Sequence, residues 1–119
     1  MGGKLSRNKG KAWEREIARR MRELGFPDAK RGWQSRAGTD APDVDGTDWW
    51  IEAKHHIKVN YRAALKQAVE DSTAAGDPRP PLVIAKDNRE DAVVHMRWAD
   101  FQMLLIQLNG ESDVRDVGR

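Results

Sequence analysis

Asp43, Glu52 and Lys54 are the residues whose types and spacing point most directly to chemistry. They fall within Ala41-Pro42-Asp43-Val44-Asp45-Gly46-Thr47-Asp48-Trp49-Trp50-Ile51-Glu52-Ala53-Lys54, where a turn-rich segment runs into a β-prone one. If residues 49 to 54 form a strand, alternation sends Trp50, Glu52 and Lys54 to one face and Trp49, Ile51 and Ala53 to the other. A carboxylate and an ammonium sharing a strand with an apolar opposite face are costly to bury unless another charge sits near them. A hard cation resolves this. Asp43, on the turn before the strand, can fold back beside Glu52, and two close carboxylates with open water positions make a natural Mg²⁺ site, where Mn²⁺ substitutes. Lys54 then supplies positive charge beside a phosphate.

The elements that must hold these residues follow from periodicity. Between Asn8 and Leu24, Trp13, Ile17, Met21 and Leu24 recur at helical spacing, and Gly25-Phe26-Pro27 stops the helix. Residues 28 to 47 read as a loop with a short strand around Gly32-Trp33-Gln34. Trp49 to Lys54 is a strand, and Tyr61 to about Ser72 a helix with Tyr61, Leu65, Ala68 and Val69 on one face, ended by Gly76-Asp77-Pro78. Leu82 to Ala85 and Ala92 to Met96 are strands around a polar turn at 87 to 91, and Trp98 to Leu108 is a last helix. The expected order is α-β-β-α-β-β-α, an α/β fold with a mixed β-sheet flanked by helices. Residues 1–108 form a single domain beginning in a basic flexible arm, 1–8, and 109–119 are a disordered tail.

Composition narrows the class. The chain has 119 residues, 34% charged and 39% hydrophobic, which suits one soluble domain with a polar surface. No run approaches the roughly 18 apolar residues of a membrane span, and the basic start lacks the apolar centre of a signal peptide, so a cytoplasmic protein without a membrane partner is expected. Without cysteine there are no disulfides, thiolate zinc sites or cysteine nucleophiles, so any metal falls to carboxylates or histidines. Net charge is +2, but residues 1 to 36 carry +7 and the remainder −5. Such a basic block attracts a polyanion with affinity that falls steeply with salt.

Pro42-Asp43 followed by Glu52-Ala53-Lys54 resembles the PD-(D/E)xK nuclease signature, which implies a restriction-endonuclease-like core. Lys9-Gly10-Lys11-Ala12-Trp13-Glu14-Arg15-Glu16-Ile17 is similar to the opening helix of archaeal-type Holliday junction resolvases, phage relatives included, where a Lys-Gly step precedes a helix bearing an acidic metal-site residue. Pro81 to Lys86, a hairpin and Val93-Val94 also follow that family's order, so the resemblance covers about residues 8 to 105. It implies that Asp43 and Glu52 bind metal, that Lys54 orients or activates the attacking water, as a base or as a charge, and that Glu14 completes the site. Helix geometry favours Glu14 over Glu16, since Glu14 departs from the buried direction by about 65° and Glu16 by about 95°. The family's basic residue ahead of the acidic loop corresponds to Arg31 or to Ser35-Arg36, holding phosphate, and Lys9, Lys11 and Arg15 are further DNA-binding candidates. The implied reaction is Mg²⁺-dependent, in-line phosphodiester hydrolysis leaving 5′-phosphates, by a homodimer that cuts branched DNA symmetrically and needs no small-molecule cofactor. The alternatives are an endonuclease of the same fold acting on other DNA (restriction-like, repair or phage DNA processing) and a DNA-binding module with a dead site.

Other chemical candidates have blander expectations. His55 and His56 point opposite ways on a strand and are expected near DNA or solvent rather than on one metal ion. Asp40, Asp45 and Asp48 are turn formers. Trp13 and Trp49 fill the core, Trp33 and Trp50 are candidates for stacking on a base or sugar, and the apolar last helix is a candidate dimer interface.

Overall fold

Trp13, Ile17 and Met21 are all buried, together with Ala18, and this stripe docks helix α1 (Gly2–Glu23) on the rest of the chain. The computed structural model describes residues 2–33, 41–56 and 58–116, with side chains from 9 to 110 within those ranges. The helix starts at Gly2 rather than near Asn8, so the segment expected to be a flexible basic arm forms its first turns. Lys4, Leu5 and Arg7 are good helix formers and no proline interrupts them, so a helix nucleated by the docked part propagates backwards at little cost. At the other end Gly25 adopts φ +111°, and the Phe26 N–H donates back to the Met21 carbonyl at 3.0 Å. The chain therefore turns before Leu24 joins the buried stripe. That residue is 74% exposed, against expectation, and Phe26 packs instead, edge-on to Trp49 with ring centroids 5.6 Å apart.

The sheet beneath α1 has five strands in chain order: β1 (Lys30–Arg31), β2 (Val44–Asp45), β3 (Trp50–His56), β4 (Pro81–Asp87) and β5 (Val93–His95). β1, β2 and β3 pair antiparallel, β4 and β5 likewise, and β3 runs parallel to β4 with Trp50 opposite Pro81 and Lys54 opposite Ala85. A parallel pair requires a crossover, which helix α2 (Tyr61–Ala74) provides. Asn60 starts it by accepting from the Ala63 N–H at 3.1 Å. The chain is thus an α/β fold with a mixed sheet, but the order is α-β-β-β-α-β-β-α, one strand more than the periodicity shows. The first strand lies at 30–31 rather than 32–34, and β2 has only two residues, too few for alternation to register.

Each face of the sheet carries its own core. On one, Trp13, Ile17, Ala18 and Met21 of α1 pack on Val44, Ile51 and Leu82. On the other, Ala64 and Ala68 of α2 pack on Trp50, Val83 and Ala85. Small residues along α2 let its backbone approach the sheet closely, which leaves room for the Trp50 indole between them. Trp50 is 1% exposed, so it is a core residue and not a stacking platform for nucleic acid. It shares a face with Glu52 and Lys54, but it lies where the body of α2 covers the sheet. Trp33 is exposed as expected. The turn before β3 is tied down by Arg79, which meets Asp45 and Asp77 at 2.7 Å each. Asp45 is thereby engaged as a turn former, while Asp40 lies outside the described residues.

Helix α3 (Trp98–Asp116) continues past Leu108 into the segment expected to be a disordered tail, whose last three residues lie outside the described residues. No proline stops it there, and a single Gly110 costs only about 1 kcal/mol in a helix. Its Met103, Ile106 and Leu108 are exposed. Among the described residues no helix is long and apolar enough to cross a membrane.

One close approach decides where Asp43 stands. The Gly32 N–H donates to the Asp43 carbonyl at 2.8 Å, and a Cβ on Gly32 would lie 1.7 Å from the carbonyl oxygen of the fully buried Pro42. Only the absence of a side chain lets the end of β1 press on Pro42-Asp43. We therefore expect Gly32→Ala to force strand and loop apart, lowering stability by about 2 kcal/mol or more in urea titrations. A wild-type denaturation midpoint would contradict this packing.

Candidate active site

Asp43 is folded back onto β3 by two hydrogen bonds. Its N–H donates to the Ile51 carbonyl at 2.9 Å, and its Oδ2 accepts from the Ala53 N–H at 2.8 Å. The turn that precedes the strand thus delivers a carboxylate to the strand's own backbone, beside Glu52. The Glu52 side chain is 12% exposed, in hydrogen-bonding contact with Asp43. Burial, then the charge of Asp43, push its carboxyl up to about 8. Lys54 acts in the opposite direction from 3.7 Å away.

Glu14 enters from α1, beside Arg31 of β1. Its carboxyl is raised above its ordinary value by burial first and by Asp43 second, and Arg31 Nε donates to its Oε1 at 3.2 Å, which works against both. Asp43 is therefore the group that Glu14 and Glu52 both feel. Glu16 instead pairs with Arg19 and Arg20 on the exposed side of α1, so the angular comparison selected the inward glutamate. The structure brings Glu14, Arg31, Asp43, Glu52 and Lys54 into one region. The other basic candidates lie around or beyond it. Lys11 acts electrostatically on Glu14, Lys9 donates to Asn88, and Arg15 is exposed. Ser35 and Arg36 lie outside the described residues.

The two histidines diverge as strand alternation requires. His55 meets Trp13 edge-on, with ring centroids 5.9 Å apart, and its pKa is lowered by burial and then by Lys9, Lys86 and His56. His56 faces the other side of the sheet, in a cleft beside Lys54. Neither joins the carboxylates.

Two residues of the region were not visible in the sequence. Gly32 sets the position of Asp43 through a contact between residues far apart in the loop. Asp71, on α2, adds its negative charge to the field at Glu52 and is itself held by Gln67, whose Nε2 donates to it at 2.9 Å. The spacing of Gln67 and Asp71 at i, i+4 was readable, but their approach to β3 was not.

Among the described residues no three acidic or histidine side chains close on a single point as a complete metal cage. The Asp43–Glu52 pair nevertheless fits a hard cation. Two carboxylates in contact under burial disfavour ionisation of Glu52, which a cation between them would reverse, and Mg²⁺ commonly takes one or two protein carboxylates, with water and phosphate oxygens filling its octahedron. Comparison with protein-family models, curated proteins and solved structures returned no match.

The raised Glu52 pKa has a defined sign in stability. Between 4.5 and about 8 the folded chain holds a proton that the unfolded chain has released, so stability falls as pH rises through that window. Urea titrations of metal-free protein across this range are expected to show the fall, and Glu52→Gln to flatten it. Equal slopes in the two proteins would show that Glu52 is not the group responsible.

Proposed function

We propose that this chain is a metal-dependent endodeoxyribonuclease of the PD-(D/E)xK type, acting as a homodimer that resolves four-way DNA junctions by paired cuts. The observation that carries the nuclease reading is the contact of the Asp43 and Glu52 carboxylates with Lys54 3.7 Å from Glu52. The restriction-endonuclease-like core belongs to the same proposal. Three antiparallel strands after the first helix, then a crossover helix and a parallel strand, support it.

Asp43 and Glu52 would hold the metal, with Glu14 contributing from α1. When bound, such a cation supplies Lewis acidity at the phosphate and lowers the pKa of water. The chain's own groups do the positioning. The Ala53 N–H fixes the direction of Asp43, so its carboxylate needs no reorganisation during reaction. Lys54 brings a positive charge to the face where the phosphate would lie, acting on the nucleophile or on the charge developing on phosphate. Arg31, held in place by Glu14, offers a planar donor fork to a neighbouring phosphate oxygen.

The choice of a branched substrate rests on the likeness of Lys9 to Ile17 to the opening helix of junction resolvases, and on α3. A helix that exposes Phe101, Met103, Leu105, Ile106 and Leu108 has no continuous polar face to give to water, and a second copy of this chain is the partner we assign to it. Two copies related by a two-fold axis would present two sites to a two-fold symmetric junction.

Incubation with a synthetic four-way junction and with linear duplex, in Mg²⁺ or chelator, tests the reading. The expected result is metal-dependent, symmetric nicking near the branch point. Asp43→Ala and Lys54→Ala are expected to lose on the order of 100-fold or more in rate while still binding the junction. Equal cutting of plain duplex points to a differently targeted nuclease, and no metal-dependent cutting of either DNA leaves a binding module. In analytical ultracentrifugation, Ile106→Glu is expected to convert a dimer to monomer; an unchanged sedimentation coefficient would remove α3 from the interface.

A further inference from the structure

Two clefts open at the start of α2, and because they share Lys58, Val59 and Asn60 they form one groove. The first, 360 Å³, begins at Lys54 and is walled by His56, Lys58 and Gln67. The second, 630 Å³, continues past Tyr61 to Arg62 and His95. Among the described residues no carboxylate lines either one, although Asp87 is hydrogen-bonded to Tyr61 at the border and Glu90 acts on the same residue. This is unexpected, since the chain beyond residue 36 carries a net −5.

Beyond Lys54, which meets Glu52, two cations along this groove are uncommitted. Among the described residues Lys58 and Arg62 form no ion pair, whereas Arg19, Arg20, Arg31, Arg79 and Arg97 each have a carboxylate partner. Their backbone is nevertheless held firmly. The Val59 N–H donates to Asp87 Oδ1 at 2.8 Å, and the Asn60 cap fixes the first turn of α2, so Lys58 and Arg62 project from either side of an anchored bend. The positive end of the α2 dipole faces the same groove, because Asn60, Ala63 and Ala64 line it. Each of these features favours an anion, and their succession from Lys54 favours a polyanion.

Given the nuclease reading above, we propose that the DNA strand passing through the site runs along this groove, with Lys58 and Arg62 neutralising the phosphates next to the one at Lys54. The strand then lies between two basic flanks, the Lys9, Lys11 and Arg15 side of α1 and the start of α2. DNA affinity is shared between them and does not reside in the N-terminal block alone.

Binding of a fluorescein-labelled synthetic four-way junction, followed by anisotropy in chelator across a KCl series, tests this. Each neutralised phosphate contributes about 0.9 to the slope of log K against log salt, so a Lys58→Ala, Arg62→Ala double variant is expected to lose about 1.8 from the slope per protomer, about 3.6 for a dimer on one junction. At about 0.1 M salt it is expected to bind at least roughly tenfold more weakly. The Lys58→Arg, Arg62→Lys swap retains the wild-type slope, as does Lys66→Ala on the outer side of α2. Thermal melting checks that each variant is folded, with Lys58→Gln, Arg62→Gln as the substitute if the alanine pair is not. A folded neutral double variant with wild-type affinity and slope overturns the groove and leaves the nuclease reading intact. If the wild-type protein binds no DNA, the nuclease reading falls first and the groove proposal with it.

Discussion

The hydrogen bond from the Ala53 N–H to the Asp43 carboxylate is the contact on which the rest of the site depends. It closes a loop onto the strand that follows it, and both partners come from a segment of ordinary turn and strand chemistry. Pro42 is buried and Gly32 packed tight behind that loop, so the carboxylate has one place to go. Glu52 then meets it because alternation along β3 leaves no other side for that residue, and Glu14 comes near it from α1, where it is held by Arg31 of β1.

The fold gathers three acidic groups here, Glu14, Asp43 and Glu52. Burial, Asp43 and, more remotely, Asp71 all disfavour ionised Glu52, while Lys54 favours it. A carboxyl raised to about 8 retains a proton at neutral pH unless an additional positive charge arrives. Stability therefore has to come from elsewhere, and two separate apolar layers supply it, one under each helix. Acidic groups thus gather around the central strand while apolar packing covers both faces of the sheet.

What was legible in the sequence is what depends on local period. The face of β3 bearing Glu52 and Lys54, the inward side of α1 bearing Glu14 and the stop at Gly25 all follow from spacing alone. What was not legible depends on tertiary proximity. Trp50 follows the alternation of β3 correctly, yet its burial is decided by α2, whose small residues lie well downstream. β2 exists only because Val44 finds Ile51, since two residues carry no pattern of their own. Gly32 and Asp71 act on the site from positions that sequence distance disguises, and the groove at Lys58 and Arg62 is formed where a strand end and a helix start face one another.

The parallel pairing of β3 with β4 also bears on when the site comes into being. Residues 14 to 54 contain every side chain assigned to it, but β3 is held on one side by a strand that begins at Pro81, after the whole of α2. Non-local pairings of this kind form late, because the chain between them must be closed before they give anything in return. A nascent chain that has exposed residues 14 to 54 but not yet β4 has no stable β3 and no buried Glu52. Assembly of the site is thus a global folding event, completed only once the strand after α2 has joined the sheet.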